Sequence, residues 1–309
     1  MEQQSTPGPE ILQIPGIKEG IEKACEENDL ETVKRLLAQS TPDFGFLFDL
    51  MWALSKAIDK RYLDIVAYLY TNGAYLDPRA VAALIKAEDF KMLEMLRELG
   101  WDMNRHTGAL DPSALPLAFD NPQVLRWMLD RGADPNPRCA YNCTPMSFAI
   151  CSAPLSVIGV LFAAGGSVCA GQLLHHAVAE RRSADRRAVV RALIHRGADI
   201  DERADHEHQW PHPHRVLTGT PLHCAALRGD PGLVAELLSW GADPFALDAH
   251  GRAAWQVAED RDHLGLVPML RRPRWVAWSW MVMGRIRRWV WLLRLRVFGP
   301  RDWESDCLQ

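Results

Sequence analysis

Four histidines crowd one short stretch, DERADHEHQWPHPHR, from Asp201 to Arg215: His206, His208, His212 and His214, with Trp210 between the two pairs. In extended chain an H-x-H step puts both rings on one side. Four neutral imidazoles meeting at one point would suit zinc, nickel or copper. The spacing matches no metal signature, however, and Glu207 does not complete an H-E-x-x-H protease motif because Trp210 stands where the second histidine belongs. Histidine-rich tracts are a compositional signal only. The reading expected here is a solvated loop stiffened by Pro211 and Pro213 that holds no metal. A pH-sensitive contact is a third reading, because imidazole titrates near neutrality.

The rest of the chain offers little more chemistry. Seven cysteines stand at 25, 139, 143, 151, 169, 224 and 307, an odd number with no zinc spacing. The first sixteen residues carry Pro7, Pro9 and Pro15 and no long apolar run, so no secretory signal is expected. Small reduced thiols in a cytoplasmic protein follow. There is no nucleophile motif, no glycine-rich phosphate loop and no paired-carboxylate constellation. No catalytic residue, cofactor or metal site is expected.

What positions these residues is a repeat. Gly219 to Asp243 reads GTPLHCAALRGDPGLVAELLSWGAD. Thr220 and Pro221 start a helix with proline in its first turn, where its missing N–H costs nothing. Ala225 and Ala226 allow close helix approach, Val234, Leu237 and Leu238 form an apolar stripe at i, i+3, i+4, and Gly241 closes the second helix in a left-handed conformation. The closing slot recurs at Ser40, Gly73, Gly100, Gly132, Gly165, Gly197, Gly241 and Pro273, in steps of 33, 27, 32, 33, 32, 44 and 32 residues. Thr144-Pro145-Met146-Ser147 is a second turn with serine in place of histidine, and Leu174-His175 keeps the Leu-His pair alone.

These residues resemble the ankyrin-repeat family, whose mark is a T-P-L-H-x-A opening and a period near 33 residues. The resemblance covers roughly residues 17 to 272 and is close only at the Gly219 copy. It implies an all-α solenoid of seven to eight helix-turn-helix repeats with short hairpin fingers. It also implies a structural task for His175 and His223, hydrogen-bonding backbone near the turn, and protein recognition by a concave face. The 44-residue step places the histidine-rich loop at a finger, on the edge of that face, and the 27-residue step leaves almost no finger before Pro78. The candidate partner contacts are His206, His208, Trp210, His212, His214, Leu227, Arg228 and Glu180.

After Pro273 the composition changes. Residues 271 to 309 hold nine arginines and three acids, a balance of +6 that leaves −10 for the remainder of a chain of net charge −4. Six of the twelve tryptophans lie there. The stretch is too interrupted by arginine to span a bilayer, which needs ~20 apolar residues. Three readings stay open for Trp275, Trp278, Trp280, Arg285, Arg287, Arg288 and Trp289. One is a cap over the apolar end of the last repeat. Another is an interfacial helix on an anionic membrane. The third is a contact to another macromolecule.

The expected organisation is a disordered segment at 1–16, the repeat array at 17–272 and a basic helical tail at 273–309. The expected function is a non-catalytic scaffold or adaptor, monomeric and cytoplasmic, with peripheral membrane contact through the tail. The acidic array argues against nucleic acid as ligand. The alternative is an enzyme on the same scaffold, using the loop at 201–215 with Glu207, or Glu180 and Asp120.

Overall fold

A computed structural model describes residues 17–39, 44–106, 112–139, 142–181, 184–204 and 219–271, together with Val282 and Ile286; for 17–18 and 44–49 it describes the backbone alone. The expected N-terminal segment, the Ser40 slot, the histidine-rich loop and the tail contacts lie outside the described residues. Those residues form fifteen α-helices and no β-strand. The expected hairpin fingers are reduced to two isolated antiparallel bridges, Ala204 with Gly219 and Leu247 with Ala253.

The chain divides into two compact units. The first, Met1–Asp102, holds three helix pairs: α1 (Ile17–Glu26) with α2 (Leu30–Ala38), α3 (Phe44–Asp59) with α4 (Leu63–Thr71), and α5 (Pro78–Lys86) with α6 (Phe90–Glu98). Within it α1, α3 and α5 pack side by side, as do α2, α4 and α6. The short step in the sequence does run straight into helix, α5 starting at Pro78 with Asp77 as its cap.

The second unit, Met103–Gln309, opens with a 3-10 turn, Leu115–Ala118, in front of α7 (Pro122–Asp130). Four pairs follow: α8 (Pro145–Ser152) with α9 (Leu155–Ala163), α10 (Leu173–Ala179) with α11 (Arg186–His195), α12 (Pro221–Arg228) with α13 (Pro231–Ser239), and α14 (Ala254–Glu259) with α15 (Val267–Leu270). The inner helices α8, α10, α12 and α14 form one row. Each unit is thus a stack of helix pairs, the architecture of an all-α repeat solenoid.

Local chemistry fixes the ends of these helices. Asp29, Asp89, Asn121 and Asp230 accept the N–H of the third residue onward from their own side chains, supplying an orphan donor of the first turn with its acceptor. Gly73, Gly100, Gly132, Gly165, Gly197 and Gly241 all stand at φ between 89° and 96°. These are six of the eight closing slots read from the sequence. Val234, Leu237 and Leu238 are buried, and Ala225 and Ala226 are inaccessible between helices.

The last expected slot, Pro273, lies outside the described residues. Ahead of it, Gly229 and Asp262 are both left-handed, and Asp230 and His263 follow them as helix-leading residues, an offset of 33. Fully buried Leu270 therefore matches fully buried Leu237. A 3-10 turn, Leu264–Leu266, takes up the first turn of that helix, which blurred its register in the sequence.

Candidate functional site

The candidate contacts that the structure describes lie at the ends of the inner helices α10 and α12. Leu227 is half-buried and Arg228 exposed at the end of α12, and Glu180 is the half-buried C-cap of α10. Arg228 donates from Nη1 to the Ala179 carbonyl at 2.7 Å, so it ties the end of α12 to the end of α10. The Glu180 carboxylate faces the thiols of Cys151 and Cys224. Burial first, and that carboxylate second, push both thiols up to about 12. A thiol held protonated is a poor nucleophile. Asp120, the other candidate of the enzymatic alternative, is exposed on the turn before α7.

The loop histidines His206, His208, His212 and His214, and Trp210, lie outside the described residues, but the base of their loop does not. The Ala204 N–H donates to the Gly219 carbonyl at 2.9 Å, and Asp201 accepts the Asp243 N–H at 2.8 Å. The described residues on either side of 205–218 are thus held together. Trp275, Trp278, Trp280, Arg285, Arg287, Arg288 and Trp289 also lie outside the described residues. Among the described residues no group of three or more His, Cys, Asp or Glu side chains could hold a metal ion. No helix among them is long and apolar enough to cross a membrane.

The buried histidines do what the resemblance implies. His223 Nδ1 accepts the Thr220 N–H at 3.1 Å, which leaves the proton on Nε2 to donate to the Arg252 carbonyl at 3.0 Å. His175 Nε2 donates to the Gly219 carbonyl at 3.0 Å. Ser147 reproduces the circuit with one oxygen: Oγ accepts the Thr144 N–H at 3.1 Å and donates to the Gly171 carbonyl at 2.7 Å. Burial, the largest cause, pushes His175 down to about 4 and His176 to about 3. His176 Nε2 stands 3.9 Å from Cys143 Sγ.

Two features escaped the sequence. The Arg181 guanidinium is only 2% exposed. It donates to the Ile150 and Ala153 carbonyls at 2.9 and 3.2 Å and binds Asp185 through two contacts of 2.7 Å. It closes α8, whose C-cap Ala153 is extended and so makes no glycine turn. Its role is not marked locally, because the carbonyls it closes lie 31 and 28 residues away. The second is Trp52 on α3, 53% exposed on the inner row of the first unit, with Lys56 one turn on and 3.9 Å from Glu26 of α1. An aromatic off the buried stripe of its helix was the available signal.

Residues 219–249, which span α12, α13 and the finger after them, match the family model of the ankyrin repeat. No curated protein matches the chain. The ankyrin repeat is a protein–protein interaction module, and the matched segment is the one where the Thr220–His223 turn, the left-handed Gly229 and Gly241, and the buried Leu237 all take their repeat geometry. On that match and on the paired-helix stacks, the chain is an ankyrin-repeat protein.

Proposed function

We propose that this protein is a non-catalytic scaffold or adaptor of the cytoplasm that holds a partner protein against its inner helices and fingers. The observation that supports the reading is the contrast between the two ends of the inner helices. The N-terminal end is closed by buried contacts such as His223 to Arg252, while the C-terminal end carries half-buried Leu227 and Glu180 and exposed Arg228. A half-buried leucine beside an exposed arginine and a carboxylate gives an apolar anchor with a charged rim, the composition of a recognition surface. Trp52 offers the same kind of anchor in the first unit. The loop histidines and Trp210 extend the surface from the finger.

The full chain and its Arg228→Glu, Leu227→Asp and Trp52→Ala variants should be compared as baits, with Lys91→Glu on exposed α6 surface as control. Partners held by the wild type and the control but lost by an inner-row variant support the reading. Equal retention by all of them contradicts it.

The basic tail carries a second proposed contact, to an anionic membrane surface. Five arginines and no acid between Arg285 and Arg296 support it, at ~1 kcal/mol per basic residue and with loss in high salt. Co-sedimentation with anionic and neutral vesicles at two salt concentrations, for the full chain and one ending at Pro273, tests it. Equal partitioning of the two chains contradicts it.

A further inference from the structure

Arginine is unevenly spread over the array. Residues 181–196 hold six arginines against one acid, Asp185, a balance of +5 that leaves −15 for the rest of residues 1–270. One strongly basic stretch, on and just ahead of α11, thus sits in acidic surroundings. Three of its arginines have structural partners. Arg181 is buried on the α8 carbonyls and Asp185, Arg191 pairs with Glu236 at 3.3 Å, and Arg196 lies over the Phe162 ring at 4.7 Å.

Arg186 and Arg187 meet the turn that joins α12 to α13 instead. Arg186 donates from Nε to the Arg181 carbonyl and stands 3.7 Å from Asp230. The Arg187 guanidinium covers Gly232 so closely that a Cβ there would stand 3.0 Å from Cζ. Arg228, from the end of α12, donates from Nη1 to the Ala179 carbonyl at 2.7 Å. Two guanidiniums are thereby fixed on carbonyls two residues apart, Ala179 and Arg181. Burial first, and the Arg228 charge second, disfavour the charged form of Arg186, while Asp230 works the other way. Among the described residues Asp230 is the one carboxylate in ion-pair contact with any of the three. Glu180 faces the thiols of Cys151 and Cys224, and even with it counted the cluster keeps a positive excess. Arg187 and Arg228 are exposed, and Arg228 keeps Nε and Nη2 without a partner among the described residues.

We propose that Arg186, Arg187 and Arg228 are the receptor for an acidic segment of the partner protein, whose carboxylates meet the guanidiniums at the α12–α13 turn. Resting on the partner reading above, this receptor gives the partner's contact its chemistry. Guanidinium takes carboxylate through two parallel N–H bonds, and the donors left on Arg228 supply such a fork. A carboxylate between Arg186 and Arg228 also relieves their mutual repulsion. The cluster is small, three arginines over one turn, so it matches a few acidic side chains. The −15 around it repels a long polyanion such as a nucleic acid. Gly232 belongs to the same arrangement: glycine is unfavourable within a helix, and here it makes room for Arg187.

The test uses the full chain, with a labelled Glu/Leu-rich peptide and its Gln/Leu-rich counterpart as probes, read by fluorescence anisotropy. The acidic peptide should bind more tightly, and the difference should shrink in high salt. Arg187→Gln/Arg228→Gln should weaken its binding about tenfold or more, as expected for charge-assisted hydrogen bonds. Arg126→Gln, on exposed α7 surface, should leave it unchanged. The reversed variant, Arg187→Glu/Arg228→Glu, should take a Lys/Leu-rich peptide instead, a gain that misfolding cannot produce. Equal binding of the acidic and amide peptides, or an acidic peptide indifferent to Arg187→Gln/Arg228→Gln, overturns the proposal. So does single-stranded RNA bound through the same arginines in preference to the peptide. The baits above test the partner reading separately. Partners lost by Leu227→Asp but kept by Arg187→Gln/Arg228→Gln leave that reading standing and overturn the acidic receptor. Acidic peptide bound as expected, with no partner held by any bait, keeps the receptor and removes the scaffold.

Discussion

His175 and His223 stand at the same place in successive repeats, and each donates from Nε2 at 3.0 Å to the carbonyl just ahead of the next inner helix, Gly219 and Arg252. The bond crosses from one repeat to the next and adds to the other polar ties between them, such as Arg228 to the Ala179 carbonyl and the Asp243 N–H to Asp201. It also requires neutral rings, because each sits in a pocket that penalises charge.

Acid should therefore loosen the second unit. Unfolded, these rings titrate near 6.5; folded, burial keeps His175 neutral until about 4 and His176 until about 3. Their contribution is complete above pH 6.5 and is lost as pH falls from there toward 4, because the unfolded chain then binds protons that the folded chain refuses. The slope is about 1.4 kcal/mol per pH unit for each histidine. Urea unfolding at pH 7.5, 6 and 5 should show a falling midpoint, and His176→Gln should flatten the trend. A midpoint that is level over this range would mean that the rings are not held neutral.

Ser147 carries the same joint with a hydroxyl. Ser147→Ala leaves the Thr144 N–H and one acceptor of Gly171 without their partner in a buried place, at a cost of about 1–3 kcal/mol. Denaturant unfolding measures it. A loss within a few tenths of a kcal/mol would show that the bond is not a fixed part of the repeat joint.

The fingers are tied by a second ladder. Asn104 accepts the Asp134 N–H at 2.8 Å and donates to the Gly132 carbonyl at 2.9 Å. Asn136 repeats this with Ser167 and Gly165 at 2.7 and 3.0 Å. Asp201 holds the corresponding place and accepts from Asp243, but a carboxylate cannot donate to Gly241. Asp201→Asn should complete the pair and raise stability by about 0.5–1.5 kcal/mol. A destabilised variant would show that the charge of Asp201 does more at the neck of the histidine-rich loop than its geometry does.

Two left-handed glycines separate backbone strain from crowding. Gly251, at φ 71°, has open space where a Cβ would go. At Gly229, φ 74°, a Cβ would stand 2.6 Å from the His263 ring. Gly251→Ala should cost only the left-handed penalty, about 1–2 kcal/mol, and Gly229→Ala measurably more. Equal losses in thermal or denaturant unfolding would remove the His263 contact from the account.

The legible part of this fold was the part set by local backbone demands. A left-handed residue must close each second helix, so glycine spacing located six turns between Gly73 and Gly241. The Thr220–His223 turn likewise announces itself within four residues. Arg181 did not, because its carbonyl partners belong to the preceding repeat and any polar residue could occupy its place in sequence. The 3-10 turn Leu264–Leu266 ahead of α15 was not legible either, because it rises differently from an α-turn while leaving the apolar pattern much the same. Of the candidate contacts, Leu227, Arg228 and Glu180 came from repeat register, while Trp52 carried only the weak signal of an aromatic off the buried stripe of α3.

The central claim is that a partner protein lies on the inner row. Its most direct test is site-specific photo-cross-linking in cells, with the reactive residue placed singly at Leu227, at Trp52, and at exposed Gln123 on the outer helix α7. The account predicts that Leu227, Trp52 or both give a discrete protein adduct, that Gln123 gives none, and that Arg228→Glu abolishes the adduct at Leu227. Adducts at Gln123 alone, or an adduct at Leu227 indifferent to Arg228→Glu, would place the partner elsewhere and contradict it.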